Sequence, residues 1–460
     1  MAYDYVIVGG GSAGCVLAAR LTEDPSCSVL LLEAGGIEPN PVADRLLTID
    51  FALTERDWGL SATGAGGVVL PYPQGKTAGG GSAVNGAVAL RGMPGDYDGW
   101  ADAGNRVWAW DALLPCFRRM ERDALGGEWH GTDGPIPIVR YARDELVAPQ
   151  RALLDACLDA GWQWTDDHNA PTTTGVGSLP MNRADGKRMS TAICYLHPVL
   201  ARPNLTVWGG VHASRIRFDG AHATGVEYVR DGARMEVSGG EILVCAGSIQ
   251  SPALLMRSGI GSAATLRAAD VDVRLDNDGV GANLMEHPGS FVFVRPHAGA
   301  VDLNELQFQL FVRWTSGVTG LENDMQLSMM NHWDLRPFPE LHAAVGDDVV
   351  FAISCGLQAP FSRGRVAITS ADPAAAPVID LNLLSDSRDL DALMLGVRTS
   401  RVIARSAAFE GRTRAVGILD DAAFDDDEAV AAYVRSFCVP WYHASGTCAM
   451  GTSPDTGAVV

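Results

Sequence analysis

The stretch that decides the fold is Tyr5 to Glu33, YVIVGGGSAGCVLAARLTEDPSCSVLLLE. Tyr5 to Val8 is a short apolar, β-branched run, and Gly9 to Gly14 follow as GGGSAG. Cys15 to Thr22 then spaces its apolar residues as a helix does, and Cys27 to Leu32 is a second buried strand closed by Glu33. Strand, glycine turn, helix and strand within about thirty residues form a βαβ unit, whose right-handed crossover makes the two strands parallel. The turn reads Gly9-x-Gly11-x-x-Gly14. The first glycine permits the tight turn, the second lets backbone approach a pyrophosphate, and the third lets helix and strand pack closely. The helix N-terminus offers free N–H groups and a positive dipole end to phosphates. Glu33 stands where a carboxylate accepts the hydrogen bonds of a ribose. The unit predicts dinucleotide binding and does not by itself separate FAD from NAD.

Outward from this unit, 460 residues predict two domains, or one large domain carrying insertions. Hydrophobic residues at 47% and charged residues at 20% exclude a disordered chain. No stretch of eighteen apolar residues occurs, which excludes an ordinary transmembrane helix, and Met1 to Gly10 lacks the pattern of a secretory signal. A formal charge of −20 repels phosphate backbones and argues against a nucleic-acid partner. Nine cysteines, an odd number without a CxxC, predict neither a disulfide framework nor a zinc site. The expected compartment is the cytoplasm, and no metal ligand set is predicted.

Further elements follow from periodicity. Arg151 to Ala160 and Leu390 to Arg405 read as helices, and Asp96 to Met120 as helical in parts. Asn204 to Trp208, Ala213 to Phe218, Ala223 to Val229 and Glu241 to Ala246 read as strands. Gln307 to Trp314 and Gln326 to Asn331 alternate as strands of a separate, antiparallel sheet, and Asp420 to Glu428 is an acidic run at a solvated helix start or loop. Trp162, Trp164, Trp314 and Trp333 are read as core.

A second glycine-rich run is Gly75 to Gly92, GKTAGGGSAVNGAVALRG, in which Gly79 to Gly81 strip side chains from one surface. It resembles the first signature of the glucose–methanol–choline (GMC) flavoprotein oxidoreductases, with Lys76, Gly79, Gly80, Ser82, Asn85 and Gly92 on the expected positions and Ala78 in place of a larger aliphatic residue. Gly247 to Gly261, GSIQSPALLMRSGIG, resembles the second signature, to which no chemistry is assigned. Asn283 to Gly289 resembles the segment where the chain leaves the flavin domain, with Glu286 as its acidic residue and His287 as a structural hydrogen-bonder. Arg188 to Leu205 and Pro360 to Val366 also match, so the resemblance covers nearly the whole chain, and the choline-dehydrogenase-like branch is nearest. The mycofactocin-associated branch fits on length.

The resemblance implies an α/β fold: a Rossmann-type FAD-binding domain with a doubly wound sheet, and an inserted antiparallel-sheet substrate domain. The FAD-binding domain would take residues 1–145, 187–289 and 437–460, and the substrate domain 146–186 and 290–436. It implies FAD at Gly9, Gly11, Gly14, Glu33, Thr77, Gly79, Gly80, Asn85, Gly86, Ala87, Val88 and Ala213. Val84 stands where some members carry a histidine joined to the flavin, so FAD is expected to be non-covalent. Trp441 to Gly451, WYHASGTCAMG, resembles the catalytic-histidine segment and makes His443 the base that takes a hydroxyl proton. The implied reaction is oxidation of a small-molecule alcohol to an aldehyde or ketone, with a dye, quinone, carrier or oxygen as electron acceptor.

Were Trp441 to His443 extended, both side chains would face the flavin and the indole would crowd the approach of oxygen. A dehydrogenase is therefore favoured over an oxidase. The family continues with a segment bearing a second catalytic asparagine or histidine, whereas this chain stops at Val460. Two other readings compete with the alcohol oxidoreductase. An NAD-linked Rossmann dehydrogenase explains only the first unit. A catalytically impaired, truncated flavoprotein follows if the ending is genuine.

Overall fold

The computed structural model describes residues 2–39, 56–419 and 421–460. The strand Ala2–Val8 lies inside a six-stranded sheet. The order is Leu205–Trp208, Val29–Leu32, Ala2–Val8, Ala233–Val244, His222–Arg230, His212–Asp219. The first four strands are parallel and the last two are added as an antiparallel meander. The period-2 alternation sends Ile7, Val29 and Leu31 to one face, where they meet Cys15 and Ala18 of the helix Ser12–Leu21. Val6, Val8, Leu30 and Leu32 go to the other face, where Leu254 of the helix Gly247–Arg257 covers them. Both faces are thus buried, as the continuous apolar run VLLL requires.

The strand expected over Glu241 to Ala246 ends at Val244 and reaches back to Ala233. Its first half, Ala233 to Ser238, is mostly exposed but alternates apolar and polar residues, and it pairs antiparallel with the preceding strand from Arg230↔Ala233 onward. The helix expected from Arg151 starts at Ala148 instead, with Pro149 in its first turn, where a missing N–H costs nothing.

A second sheet is antiparallel throughout, in the order Thr413–Val416, Pro288–Pro296, Val349–Leu357, Met325–Asp334, Leu310–Trp314, Gly175–Ser178. Val439–Pro440 pairs with Pro288 and Gly289. The predicted strands at 307–314 and 326–331 are present as Leu310–Trp314 and Met325–Asp334. Helix Ser387–Ala404 packs on this sheet through Leu390, Leu393 and Val397. It comes so close at Gly396 that a Cβ there would lie 2.7 Å from Met325 Cε and 3.0 Å from Cys355 Sγ.

Trp314 packs on Trp162, and Trp333 on Phe291 and Phe293, as core side chains. All nine cysteines are free. Of the acidic run, Asp420 lies outside the described residues, and the rest forms the short helices Asp421–Asp425 and Asp427–Ser436. No helix among the described residues is long and apolar enough to cross a membrane.

Candidate active site

Two of the three glycines in the first turn are demanded by the protein itself. Gly9 has φ 101°, and a Cβ on it would lie 2.5 Å from the carbonyl oxygen of Cys245. A Cβ on Gly14 would lie 1.9 Å from the carbonyl oxygen of Gly9. Gly11 differs, because the nearest atoms to its Cβ position are 3.9 and 4.0 Å away. Nothing in the chain bars a side chain there. What Gly11 keeps clear is a cavity of about 550 Å³, and a ligand pressed against the backbone accounts for the glycine. Helix Ser12–Leu21 starts beside this space with no side-chain cap, so its first N–H groups are available to an anion.

Glu33 lines the same cavity. Its Oε2 accepts the N–H of Gly10 at 2.8 Å and its Oε1 that of Gly35 at 2.7 Å. Burial raises its pKa, against the pull of the backbone N–H groups of Gly35, Gly10 and Ala34. Each carboxylate oxygen keeps a further lone pair for ribose hydroxyls.

The second glycine run lies directly on the first. Gly79 N–H donates to Gly10 C=O at 2.8 Å, and a Cβ on Gly80 would lie 2.8 Å from Cα of Gly11. Gly80 and Gly81 complete this wall of the cavity, and Ala213 lies on another side.

Of the residues proposed from sequence, Gly9, Gly11, Glu33, Gly80 and Ala213 line the cavity, whereas Gly14, Thr77, Gly79, Asn85, Gly86, Ala87, Val88 and His443 do not. Thr77 is buried, its hydroxyl donating to Gly36 C=O and accepting from Arg56, both at 3.2 Å. Asn85 turns its Oδ1 to the N–H of Ala87 at 2.9 Å and so supports the left-handed backbone of Ala87, φ 56°. Arg188 donates to the carbonyls of Ala83 and Asn85, and Val88 pairs with Met181.

The run Gly247 to Gly261, expected to be structural, also contributes to the cavity through Ser248 to Ser251, Leu254 and Arg257. At its N-terminus, Ser248 Oγ donates to Ala444 C=O at 2.5 Å, and Thr447 Oγ1 donates to Ser248 C=O at 2.6 Å. These bonds place Ser445 to Cys448 on the cavity wall, two residues from His443.

The histidine segment is not extended. Tyr442 has φ 66°, which breaks the alternation between Trp441 and His443. Trp441 instead lies in a slot made by two paired glycines of neighbouring strands, Gly289 and Gly356. A Cβ at Gly289 would fall 2.1 Å from its Nε1, and one at Gly356 would fall 2.4 Å from its Cζ2. The geometric premise for placing Trp441 over the flavin therefore does not hold.

His443 is held by Glu286. One oxygen of that buried carboxylate, Oε1, accepts the backbone N–H of His443 at 2.8 Å and that of His287 at 2.9 Å. The other, Oε2, accepts the hydroxyl of fully buried Tyr72. Burial pushes the Glu286 carboxyl up to about 7, opposed by these donors. His443 is exposed, yet the protein packed around its imidazole desolvates it and lowers its pKa below the usual 6.5. His287, expected to be a structural hydrogen-bonder, places its Nδ1 3.2 Å from Nδ1 of His443. Linear motifs identified His443. They gave no sign of the Glu286 and Tyr72 bonds, which join residues 157 and 214 positions apart.

A second buried polar cluster also went undetected. Glu121, Asp123 and His130 bring ligand-type atoms within 4.8 Å of one another. Arg91 donates to Glu121 at 2.5 Å, and Arg140 donates to Asp123 and Asp167 at 2.7 and 3.0 Å. Two guanidinium groups already neutralise these carboxylates, so the cluster is an ion-pair network rather than a cation cage.

Residues 3–289 match the N-terminal and residues 360–460 the C-terminal family model described as GMC oxidoreductase. An uncharacterised GMC-type oxidoreductase of Rhodococcus erythropolis is 36% identical over 99% of this chain and 89% of its own length. An oxygen-dependent choline dehydrogenase of Brucella ovis is 34% identical over 100% of this chain and 88% of its own. Among solved structures, pyridoxine 4-oxidase from Mesorbium loti superposes with a TM-score of 0.89 at 30% identity, covering 98% of this chain and 90% of that one.

Proposed function

Because the chain belongs to the GMC oxidoreductase family, we propose that it oxidises a small-molecule alcohol to an aldehyde or ketone with non-covalently bound FAD, His443 taking the hydroxyl proton. It is an FAD-dependent oxidoreductase of CH–OH donors, and its fold is a Rossmann-type FAD-binding domain with an antiparallel-sheet substrate domain. The family match replaces the NAD-linked alternative. One observation carries the mechanism: the glycine turn, Glu33 and the segment just after His443 share one cavity.

Gly9, Gly11 and the N-terminus of the Ser12–Leu21 helix would hold the pyrophosphate, Glu33 the ribose and Ala213 the adenine. The glycine pair Gly79–Gly80 would shape the wall beside them, with Gly14 and Thr77 bracing that wall from behind. The Asn85, Gly86, Ala87 and Val88 backbone would extend the site. When bound, FAD supplies the hydride acceptor. His443 has its pKa lowered by burial and is therefore neutral near pH 7, able to accept the hydroxyl proton as the C–H bond is broken. Glu286 fixes the backbone of that histidine.

The domain limits 1–145, 187–289 and 437–460 against 146–186 and 290–436 belong to the same reading. Their support is that the first sheet draws on 2–32 and 205–244, and the second mainly on 175–178, 288–357 and 413–416. Non-covalent attachment is supported by Val84, and acid precipitation that leaves the colour in solution tests it. Free cysteines suit a cytoplasmic location, which fractionation of the producing cell tests. Preference for a carrier over oxygen has lost the support of Trp441, and the relatives named above include an oxygen-dependent choline dehydrogenase and an oxidase. Mixing anaerobically reduced protein with aerated buffer decides the point, and stoichiometric peroxide formed faster than turnover would make it an oxidase.

The central experiment is anaerobic stopped-flow bleaching of the flavin by a panel of primary and secondary alcohols. His443→Ala should keep FAD and slow bleaching by about 10²–10⁴-fold. Wild-type rates in that variant would remove His443 from the mechanism.

A further inference from the structure

The surroundings of His443 decide which of its ring nitrogens carries the proton. Its Nδ1 lies 3.2 Å from Nδ1 of His287, with the rings perpendicular and their centroids 5.2 Å apart. At that distance one nitrogen must present an N–H and the other a lone pair, because two donors or two acceptors would repel. The contact is held by the single oxygen of Glu286 that accepts both backbone N–H groups.

His287 sets the direction. Burial, reinforced by the neighbouring His443, takes its pKa down to about 3, so it is neutral at physiological pH and carries one ring proton. A backbone hydrogen bond at Gln358 favours its protonated form, as a carbonyl acceptor does. Gly289 pairs with Gly356, which brings His287 beside Gln358, and with Nδ1 turned to His443 the ring nitrogen left to meet that backbone is Nε2. Nδ1 of His287 is then a bare acceptor, and Nδ1 of His443 must supply the hydrogen. Neutral His443 is left with its lone pair on Nε2, which has no hydrogen-bond partner among the described residues.

We propose that His287 is a positioning residue for the alcohol oxidation: by accepting Nδ1–H of His443 it locks the base in the tautomer whose Nε2 lone pair is free for the hydroxyl proton. The proposal rests on the reading of His443 as the base. When the O–H bond breaks, the proton joins Nε2 and the positive charge stays on His443, while Nδ1–H continues to donate. His287 gains and loses no proton.

Labelling the FAD-loaded protein with ¹⁵N-histidine and recording long-range ¹H–¹⁵N correlations reads the tautomers directly, with the His443 signals identified by their loss in His443→Asn. The expected result is His443 protonated at Nδ1 and His287 at Nε2. A proton on Nε2 of neutral His443 overturns the proposal, and it can do so while alcohol oxidation itself stands, because the spectrum needs no turnover. In a second arm, His287→Asn keeps an acceptor oxygen and should retain the tautomer and most of the flavin-reduction rate. His287→Leu should lose the tautomer preference and slow reduction by roughly 10- to 100-fold, the range for partners that orient a functional histidine, with little change in KM. Wild-type rate and tautomer in His287→Leu would equally overturn it. Should that variant not fold, the wild-type spectrum decides alone.

Discussion

Gly80 and Gly11 touch backbone to backbone: a Cβ on Gly80 would stand 2.8 Å from Cα of Gly11. Two glycine loops about seventy residues apart in sequence thus form one wall of the cavity, and the contact leaves no room for a side chain on Gly80. Gly80→Ala should part the loops and expel FAD, read as loss of bound flavin absorbance after gel filtration. Gly99→Ala, whose Cβ meets nothing within 4 Å inside the helix Pro94–Asp102, should retain FAD and gain about 0.5–1 kcal/mol. Equal flavin content in both variants would show that the loop contact does not shape the site.

Glu33→Ala removes the acceptor for the N–H groups of Gly10 and Gly35 as well as any ribose contact. Loss of one charged hydrogen bond is worth about 1.5–3 kcal/mol. FAD affinity should therefore fall by about 10- to 100-fold in a fluorescence titration. The melting temperature of the FAD-free protein should fall too, since two donors at the turn lose their partner. An unchanged dissociation constant would place the ribose elsewhere.

Glu286 gives flavin reduction a pH dependence. Its carboxyl is pushed up to about 7 by burial, and the ionised form accepts from Tyr72, His287 and His443 more strongly than the protonated one. The reduction rate should fall as pH drops through about 7, with a second fall below 6.5 when His443 itself is protonated. In Glu286→Gln the component near 7 should vanish while the lower one stays. A limb near 7 that persists in this variant would assign it to another group.

His130 links stability to pH. Burial disfavours its charge, but hydrogen bonds to Asp167 and Glu121 and the charges of Asp167 and Asp123 win, and its pKa rises from 6.5 to about 9. The stabilisation is fully present below 6.5 and is lost as pH rises through 9. The urea midpoint of the wild type should decline between pH 7 and 9, a window above the titration of Glu286. His130→Gln should be less stable at pH 7 and show a flatter profile. Parallel profiles for the two proteins would mean that His130 is neutral in the folded state.

Trp441 and its glycine slot should behave as one unit. Gly356→Ala overpacks the indole and should cost about 1–3 kcal/mol in denaturant titration. In the double variant Gly356→Ala with Trp441→Ala the added methyl meets no indole, so the combined loss should fall short of the sum by about 0.5–3 kcal/mol. Strict additivity would place the indole elsewhere.

The chain's own sequence determined the parallel unit at its start. Gly9, Gly14 and Glu33 are legible because turn geometry, helix period and strand period act within thirty residues and leave their pattern in the order of side chains. It also marked His443 through the run around it, and the helix over Ser387–Ala404 through its apolar period. Tertiary structure alone decided what surrounds the histidine. Glu286 reaches it across 157 positions and His287 across 156, and the Gly289–Gly356 pair that seats Trp441 comes from two strands. The left-handed Tyr442 overrode the alternation that would have turned Trp441 to the flavin. Periodicity records which face of an element is buried, but not which element covers it. A carboxylate's partners, a histidine's tautomer and the slot for an indole depend on that covering element, and only the packed chain supplies it.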